Sequence, residues 1–177
     1  MQNIPILQAQ RISILPLSEN DVQGIFSIHS NSEVNKYLER SPTTNISEAE
    51  AFIKKIIAGF EEFKWYYWSI FFEAELIGTI CIWNFLADNT IAELGYQLHP
   101  KYQGNGFMSE ALKAVILFAF EDLNLKQLDA YTHKDNNPSI ELLLKHDFEH
   151  DFLRYDTKNI NHIVFKLKST NPQILAK

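Results

Sequence analysis

Residues 105–123 are too long for a strand and are apolar on almost every side. Phe107, Met108, Ala111, Leu112, Val115, Ile116, Ala119 and Phe120 leave no broad polar face. A helix of this kind must be covered by other structure. Strand-like runs flank it, TIAELGYQLHP at 90–100 and QLDAYTH at 127–133. Strand, helix and strand at this spacing predict one parallel pair joined by a crossover helix. The turn into the helix, KYQGNGFM at 101–108, holds Gly104 and Gly106. In open α/β sheets, ligands bind beyond the carboxyl ends of strands, which is where this turn falls.

The rest of the chain predicts a mixed sheet around that unit. RISILPL (11–17) reads as a first strand. Ser18 caps a helical stretch, with Asp21 in its first turn and Val22, Ile25, Phe26 and Ile28 on one face. Residues 33–45 form an irregular connection anchored by Tyr37 and Leu38 and broken at Pro42. Ala49, Phe52, Ile53, Ile56, Ile57 and Phe60 recur at helical spacing, predicting a helix over 47–63 opened by a Ser47/Glu50 capping box. WYYWSIFFEA (65–74) and LIGTICIWNFL (76–86) are strands joined so tightly that they form an antiparallel hairpin. Residues 138–146 read as a short helix, and 152–157 and 162–168 as two closing strands. The expected fold is an α/β mixed sheet of about seven mostly antiparallel strands, with one parallel pair and about four helices on both faces. The length fits one domain over 1–177 with a core at about 10–168.

Composition narrows the partners. Net charge is −6 with no Lys/Arg-rich stretch, which disfavours nucleic acid and leans towards cationic substrates. No apolar run reaches about 18 residues, so no membrane span is expected. The first residues lack the pattern of a signal peptide, and Cys81 is the lone cysteine. A cytoplasmic setting is the expectation. His146 and His150 are four apart, but no cysteine partners them and no HExxH occurs, so no metal is expected.

Gly104 and Gly106 can adopt positive φ or let a ligand approach the backbone. The amides from Gln103 to Met108 would then point outward at a helix N-terminus, a ready site for phosphate. A plain tight turn would use the same glycines. A nucleotide P-loop needs a lysine after its glycines, and none stands here. A dinucleotide turn needs a third glycine where Ser109 stands, with an acidic partner about 20 residues on at a strand end. Asp129 is near that distance but lies inside a strand. A coenzyme A diphosphate is the third reading.

That reading has company. AELGYQLHPKYQGNGFMSEALKAVI (92–116), followed by NNPSIELLLKHDF (136–148), resembles the GNAT N-acetyltransferase superfamily, and within it the RimJ/RimL type that acetylates ribosomal-protein N-termini. The shared pattern is a Gly-Tyr strand, a glycine turn, Glu-Ala on the helix, and Asn-x-x-Ser opening the next helix. Asp147 departs from it, standing where the family has glycine; Asp tolerates a left-handed cap better than most residues. The resemblance implies a GNAT fold and acetyl-CoA as cosubstrate. It implies that Gln103, Gly104, Asn105, Gly106, Phe107 and Met108 hold the diphosphate. Leu98 and His99 would pair with the pantetheine arm, which could add as a strand to an unpaired edge. Asn136 would contact the cofactor near the thioester, and Ser139 would donate a proton to the leaving thiolate; both also suit plain helix capping. The parallel strands would splay to admit the arm, with Gly95 either easing the splay or simply packing closely.

The implied chemistry adds further expectations. A primary amine attacks a thioester in its neutral form. At pH 7 that form costs ~1.4 kcal/mol for an α-amino group and ~4.6 kcal/mol for a lysine. Glu93, beside the expected splay and opposite in facing to Ala92 and Leu94, is the candidate base acting through water. Cys81 lies mid-strand with no base beside it in sequence, so transfer would be direct, within a ternary complex. Tyr37 is a candidate acceptor contact, because loops carry specificity. The acceptor would be a protein or peptide N-terminus, or a small amine; monomer and homodimer are both compatible. An acyl-CoA-binding sensor without turnover and a nucleotide-dependent oxidoreductase are the alternatives.

Overall fold

The computed structural model describes residues 4–170 apart from 39, 63 and 87. Eight strands form one sheet in the order β1-β2-β3-β4-β5-β6-β8-β7. They are β1 (Leu7–Gln8), β2 (Ile12–Pro16), β3 (Trp65–Phe72), β4 (Glu75–Trp83), β5 (Ile91–Leu98), β6 (Gln127–His133), β7 (Glu149–His150) and β8 (His162–Lys168). The helices are α1 (Val22–Ser30), α2 (Ser32–Asn35), α3 (Ile46–Glu61), α4 (Phe107–Glu121) and α5 (Asn137–Lys145). Every pairing is antiparallel except β5 with β6, which α4 connects. The expected hairpin is β3–β4, turning through Glu73-Ala74.

Side-chain alternation sorts the two faces. Trp68 of β3 is buried with Ala92, Leu94, Leu128 and Ala130 under α4, which contributes Ala111, Leu112 and Val115. Tyr67, next to Trp68, therefore points the other way, where it packs with Ile25 of α1 and Ile53 of α3. The sheet is covered on both faces.

Two expectations need correcting. The first turn of α3 is capped by Asn45, whose side chain accepts from Glu48 N, so the helix starts before the Ser47/Glu50 box. Its expected last residue, 63, lies outside the described residues. Residues 152–157 are not a strand. Asp151 and Asp156 capture the amides of Leu153 and Lys158 (3.3 and 2.8 Å), and such local bonds compete with ladder formation. The second partner of β8 is instead the two-residue β7. Eight strands and five helices fit the expected mixed sheet of about seven strands and about four helices; β1, β7 and α2 are too short for periodicity to reveal.

Asp147 sits at φ 62°, in the left-handed region, after α5. Its amide reaches back to Leu144 O (3.1 Å). Asp147→Gly is expected to stabilise the fold by about 1 kcal/mol, since an L side chain is penalised there. Urea unfolding checks this; a loss of stability would contradict it.

Candidate active site

The glycine turn opens outward. Pro100–Tyr102 form a single 3-10 turn after β5, and Gly104 and Gly106 follow at φ 76° and 81°. Gly106 is the N-cap of α4, whose first backbone bond runs from Glu110 N to Gly106 O (3.1 Å). The amides of residues 104–109 therefore find no acceptor among the described residues. Six unpartnered donors in the turn and first turn of a helix suit an anion. A Cβ on Gly104 would meet nothing within 4 Å, so the space beside Gly104 is open, whereas one on Gly106 would come within 3.3 Å of Arg11 Nη2.

Gln103 departs from expectation. Its amide donates to Pro100 O (3.1 Å), while its side chain donates to Leu98 O (3.0 Å). The outward set thus begins at Gly104, and Asn105, Gly106, Phe107 and Met108 belong to it. Asn105 closes the turn by donating its side chain to Gln103 O (3.0 Å). Arg11, which sequence reading did not single out, braces the turn from the N-terminal strands. It pairs with Glu110, donates to Asn105 O (2.8 Å), and lies over the Phe107 ring (4.7 Å to its centre).

The expected opening lies beside this turn. β5 and β6 stay in register only from Ile91/Gln127 to Glu93/Asp129, although β5 runs on to Leu98 and β6 to His133. Beyond Glu93 the strands diverge. His99 N donates to Ile77 O (2.8 Å), so its amide faces β4 rather than the gap. By the alternation of the β4–β5 ladder, the amides of Tyr96 and Leu98, beyond the last β5–β6 pair, face the gap instead. Leu98 thus fits an arm-pairing edge, whereas the amide of His99 does not. Gly95 pairs in register with Cys81, and an added Cβ would come within 3.1 Å of Cys81 Sγ, so close packing accounts for it.

Glu93 stands at the base of the gap, on the α1/α3 face with Gly95 and Gln97. Burial raises its pKa to about 6, with Asp129 and Asp156 adding to the rise and Asn84 opposing it through a 3.2 Å hydrogen bond. A cavity of about 400 Å³ opens there, walled by Glu93, Asn84, Asp129, Tyr131 and Arg154 among others. Arg154 pairs with Asp129 (2.7 Å) and donates to Tyr131 Oη (3.0 Å), pinning the 151–161 loop to β6. Asn84 reaches this wall from the end of β4, Asp129 and Tyr131 through the pairing of β5 with β6, and Arg154 from the loop before β8, so sequence reading assigned none of them here. Tyr37 lies higher on this face, its ring 5.4 Å from that of His133 at the end of β6.

On the opposite face, Asn136 caps α5 by accepting from Ser139 N (3.4 Å), and Ser139 Oγ lies 2.8 Å from Tyr96 Oη. Cys81 is partly buried, and burial pushes its thiol up to about 12, so it carries no thiolate at neutral pH. Among the described residues, no three His, Cys, Asp or Glu side chains gather as a metal site, and no helix is long and apolar enough to cross a membrane.

A parallel pair that stays in register over three residues only, with a turn of unpartnered amides at its open end, is an arrangement suited to an extended anionic ligand. Comparison with known proteins gives the family. The acetyltransferase (GNAT) domain matches residues 11–149, and the chain belongs to that family of N-acetyltransferases. It is 33% identical over 147 residues to the uncharacterized N-acetyltransferase YoaA of Bacillus subtilis, covering 82% of this chain and 83% of that one. It is 35% identical over 79 residues to the ribosomal-protein-serine acetyltransferase of Escherichia coli, covering 45% and 44%. A solved structure of RimL, a ribosomal L7/L12 alpha-N-protein acetyltransferase in complex with coenzyme A, shares the fold at TM-score 0.81 and 17% identity, covering 93% of this chain and 98% of that one.

Proposed function

We propose that this acetyltransferase moves the acetyl group of acetyl-CoA directly onto the N-terminal amine of a polypeptide. One observation carries the reading: six free amides at residues 104–109 lie beside a gap between β5 and β6, with a desolvated carboxylate, Glu93, at its base. The diphosphate fits the turn amides, and the pantetheine arm fits the unpartnered amides of Tyr96 and Leu98. Asn136 and Ser139 then stand near the thioester end of the arm.

Glu93, at about 6, is largely ionised at pH 7 yet basic enough to take a proton through water. The amine nitrogen bonds to the carbonyl carbon, and the C–S bond breaks with its electron pair staying on sulfur. The amine's proton goes to Glu93. The high pKa of the Cys81 thiol supports transfer without an acetyl-cysteine stage. An α-amino group needs far less deprotonation than a lysine, which favours N-termini.

A polypeptide acceptor is further supported by the loop that carries Arg154. Phe152, Leu153, Tyr155 and Ile160 are 78–94% exposed there, beside the cavity. A cluster of exposed apolar side chains marks a contact surface for another chain.

The test is thiol release with acetyl-CoA and a panel of N-terminal peptides, free lysine derivatives and small amines. Release with peptides, and acetylation at their α-amine, is expected. Binding of acetyl-CoA with no release for any acceptor would make the chain a sensor and contradict the proposal. Thermal stabilisation by NAD but not by acetyl-CoA would remove it altogether.

A further inference from the structure

Tyr96 is the site's unassigned hydroxyl. Its oxygen lies 2.8 Å from Ser139 Oγ, bridging β5 and the first turn of α5 on the α4 side of the gap. Three residues beyond the last β5–β6 pair, it sits where the strands have already parted. From the geometry we infer that Tyr96 is a positioning residue for the departing thiol: its O–H donates to Ser139 Oγ, which leaves the Ser139 hydroxyl hydrogen to meet the leaving sulfur.

The direction of that bond follows from acidity. A phenol is a much stronger acid than an aliphatic alcohol, so Tyr96 is the better donor of the two and Ser139 the better acceptor. Burial pushes the Tyr96 phenol up to about 12, which keeps it protonated over the working range. Ser139 is also held from the other side, because Asn136 Oδ1 takes its backbone amide (3.4 Å). Its hydroxyl can therefore rotate towards the gap without losing its support. A donor that is itself receiving a hydrogen bond is polarised and donates more strongly.

The proposal rests on the acetyl-transfer reading and assigns no new proton transfer. As the C–S bond breaks, the electron pair goes to sulfur and the amine proton goes to Glu93. Tyr96 and Ser139 keep their protons and stabilise the thiolate by hydrogen bonding. The thiolate is protonated later by solvent. Serine alone is too weak an acid to protonate a thiolate of pKa near 8.5 outright, so support in place is the role left to the pair.

The test compares coenzyme A with desulfo-coenzyme A, which lacks the sulfur, in binding titrations from pH 7 to 9. Stabilising the thiolate lowers the bound thiol's pKa. The affinity of coenzyme A relative to the desulfo compound is then expected to rise with pH, by about tenfold for one charge-assisted hydrogen bond. Tyr96→Phe is expected to lose most of that rise, as is Ser139→Ala. The double variant is expected to lose no more than Ser139→Ala alone. Turnover in Tyr96→Phe is expected to fall about tenfold in kcat, with the KM for acetyl-CoA unchanged.

The idea is overturned if wild type shows no pH-dependent gain over desulfo-coenzyme A, a result that needs no variant. It is also overturned if Tyr96→Phe keeps the full gain, or loses desulfo-coenzyme A affinity equally, the mark of a purely structural contact. These outcomes differ from failure of the acetyl-transfer reading, in which neither coenzyme A compound binds or no acceptor is acetylated.

Discussion

Glu93→Gln is expected to lower kcat/KM by about 100- to 10,000-fold while leaving acetyl-CoA affinity nearly intact. That range is the contribution of a positioned general base. The substitution keeps the shape of the side chain and its hydrogen bond to Asn84, so the cavity should persist. The pH profile gives the sharper readout. A base acts in its ionised form, and burial has raised Glu93 from the ordinary 4.5 to about 6. Wild-type kcat/KM should therefore climb as pH rises through about 6. A second climb towards 8 reflects deprotonation of an α-amine acceptor. The variant should keep the second climb and lose the first. A rate unchanged by the substitution would mean that Glu93 is not the base.

The second large effect concerns the turn. Gly104→Asp is expected to weaken acetyl-CoA binding about 100-fold, and Gly104→Asn far less. Both side chains tolerate the left-handed φ of 76° better than most, and the space around a Cβ there is open. Folding cost is thus similar for the two and small. They differ by one negative charge placed among the amides that receive a diphosphate. Losing charge-assisted bonds of this kind is worth about 3 kcal/mol, or roughly 100-fold. Titration calorimetry with acetyl-CoA separates the pair; equal affinities would show that no anion sits there.

The parts of the fold that sequence discloses are those with a local cause. β6 and β8 have the very bounds that their β-branched and aromatic runs suggest, and the β3–β4 hairpin follows from a link too short for anything else. The divergence of β5 from β6 was expected only through family resemblance, yet the proposed site is built around it. FLRYDT misled because its composition suits a strand, while Asp151 precedes it and Asp156 lies within it. Those aspartates hold the loop backbone in place, and Arg154 is drawn away to Asp129.

The site divides along the same line. The proposed roles of the glycine turn and Glu93 could be raised from sequence because their spacing lies within one strand–turn–helix unit. Gln103 was misjudged because the 3-10 turn begun at Pro100 takes its amide. Arg11, Tyr131 and Arg154 come from segments far apart in sequence, and only the sheet order brings them to the site. The partnership of Tyr96 with Ser139 is hidden for the same reason, although both belong to the motifs that gave the resemblance.

Backbone amide NMR during an acetyl-CoA titration tests the central claim most directly. The amide signals of residues 104–109 should shift strongly and together, with Tyr96 and Leu98 following as the arm joins the free edge of β5. Saturable binding that leaves those eight signals in place would put the carrier elsewhere on the protein and contradict the account.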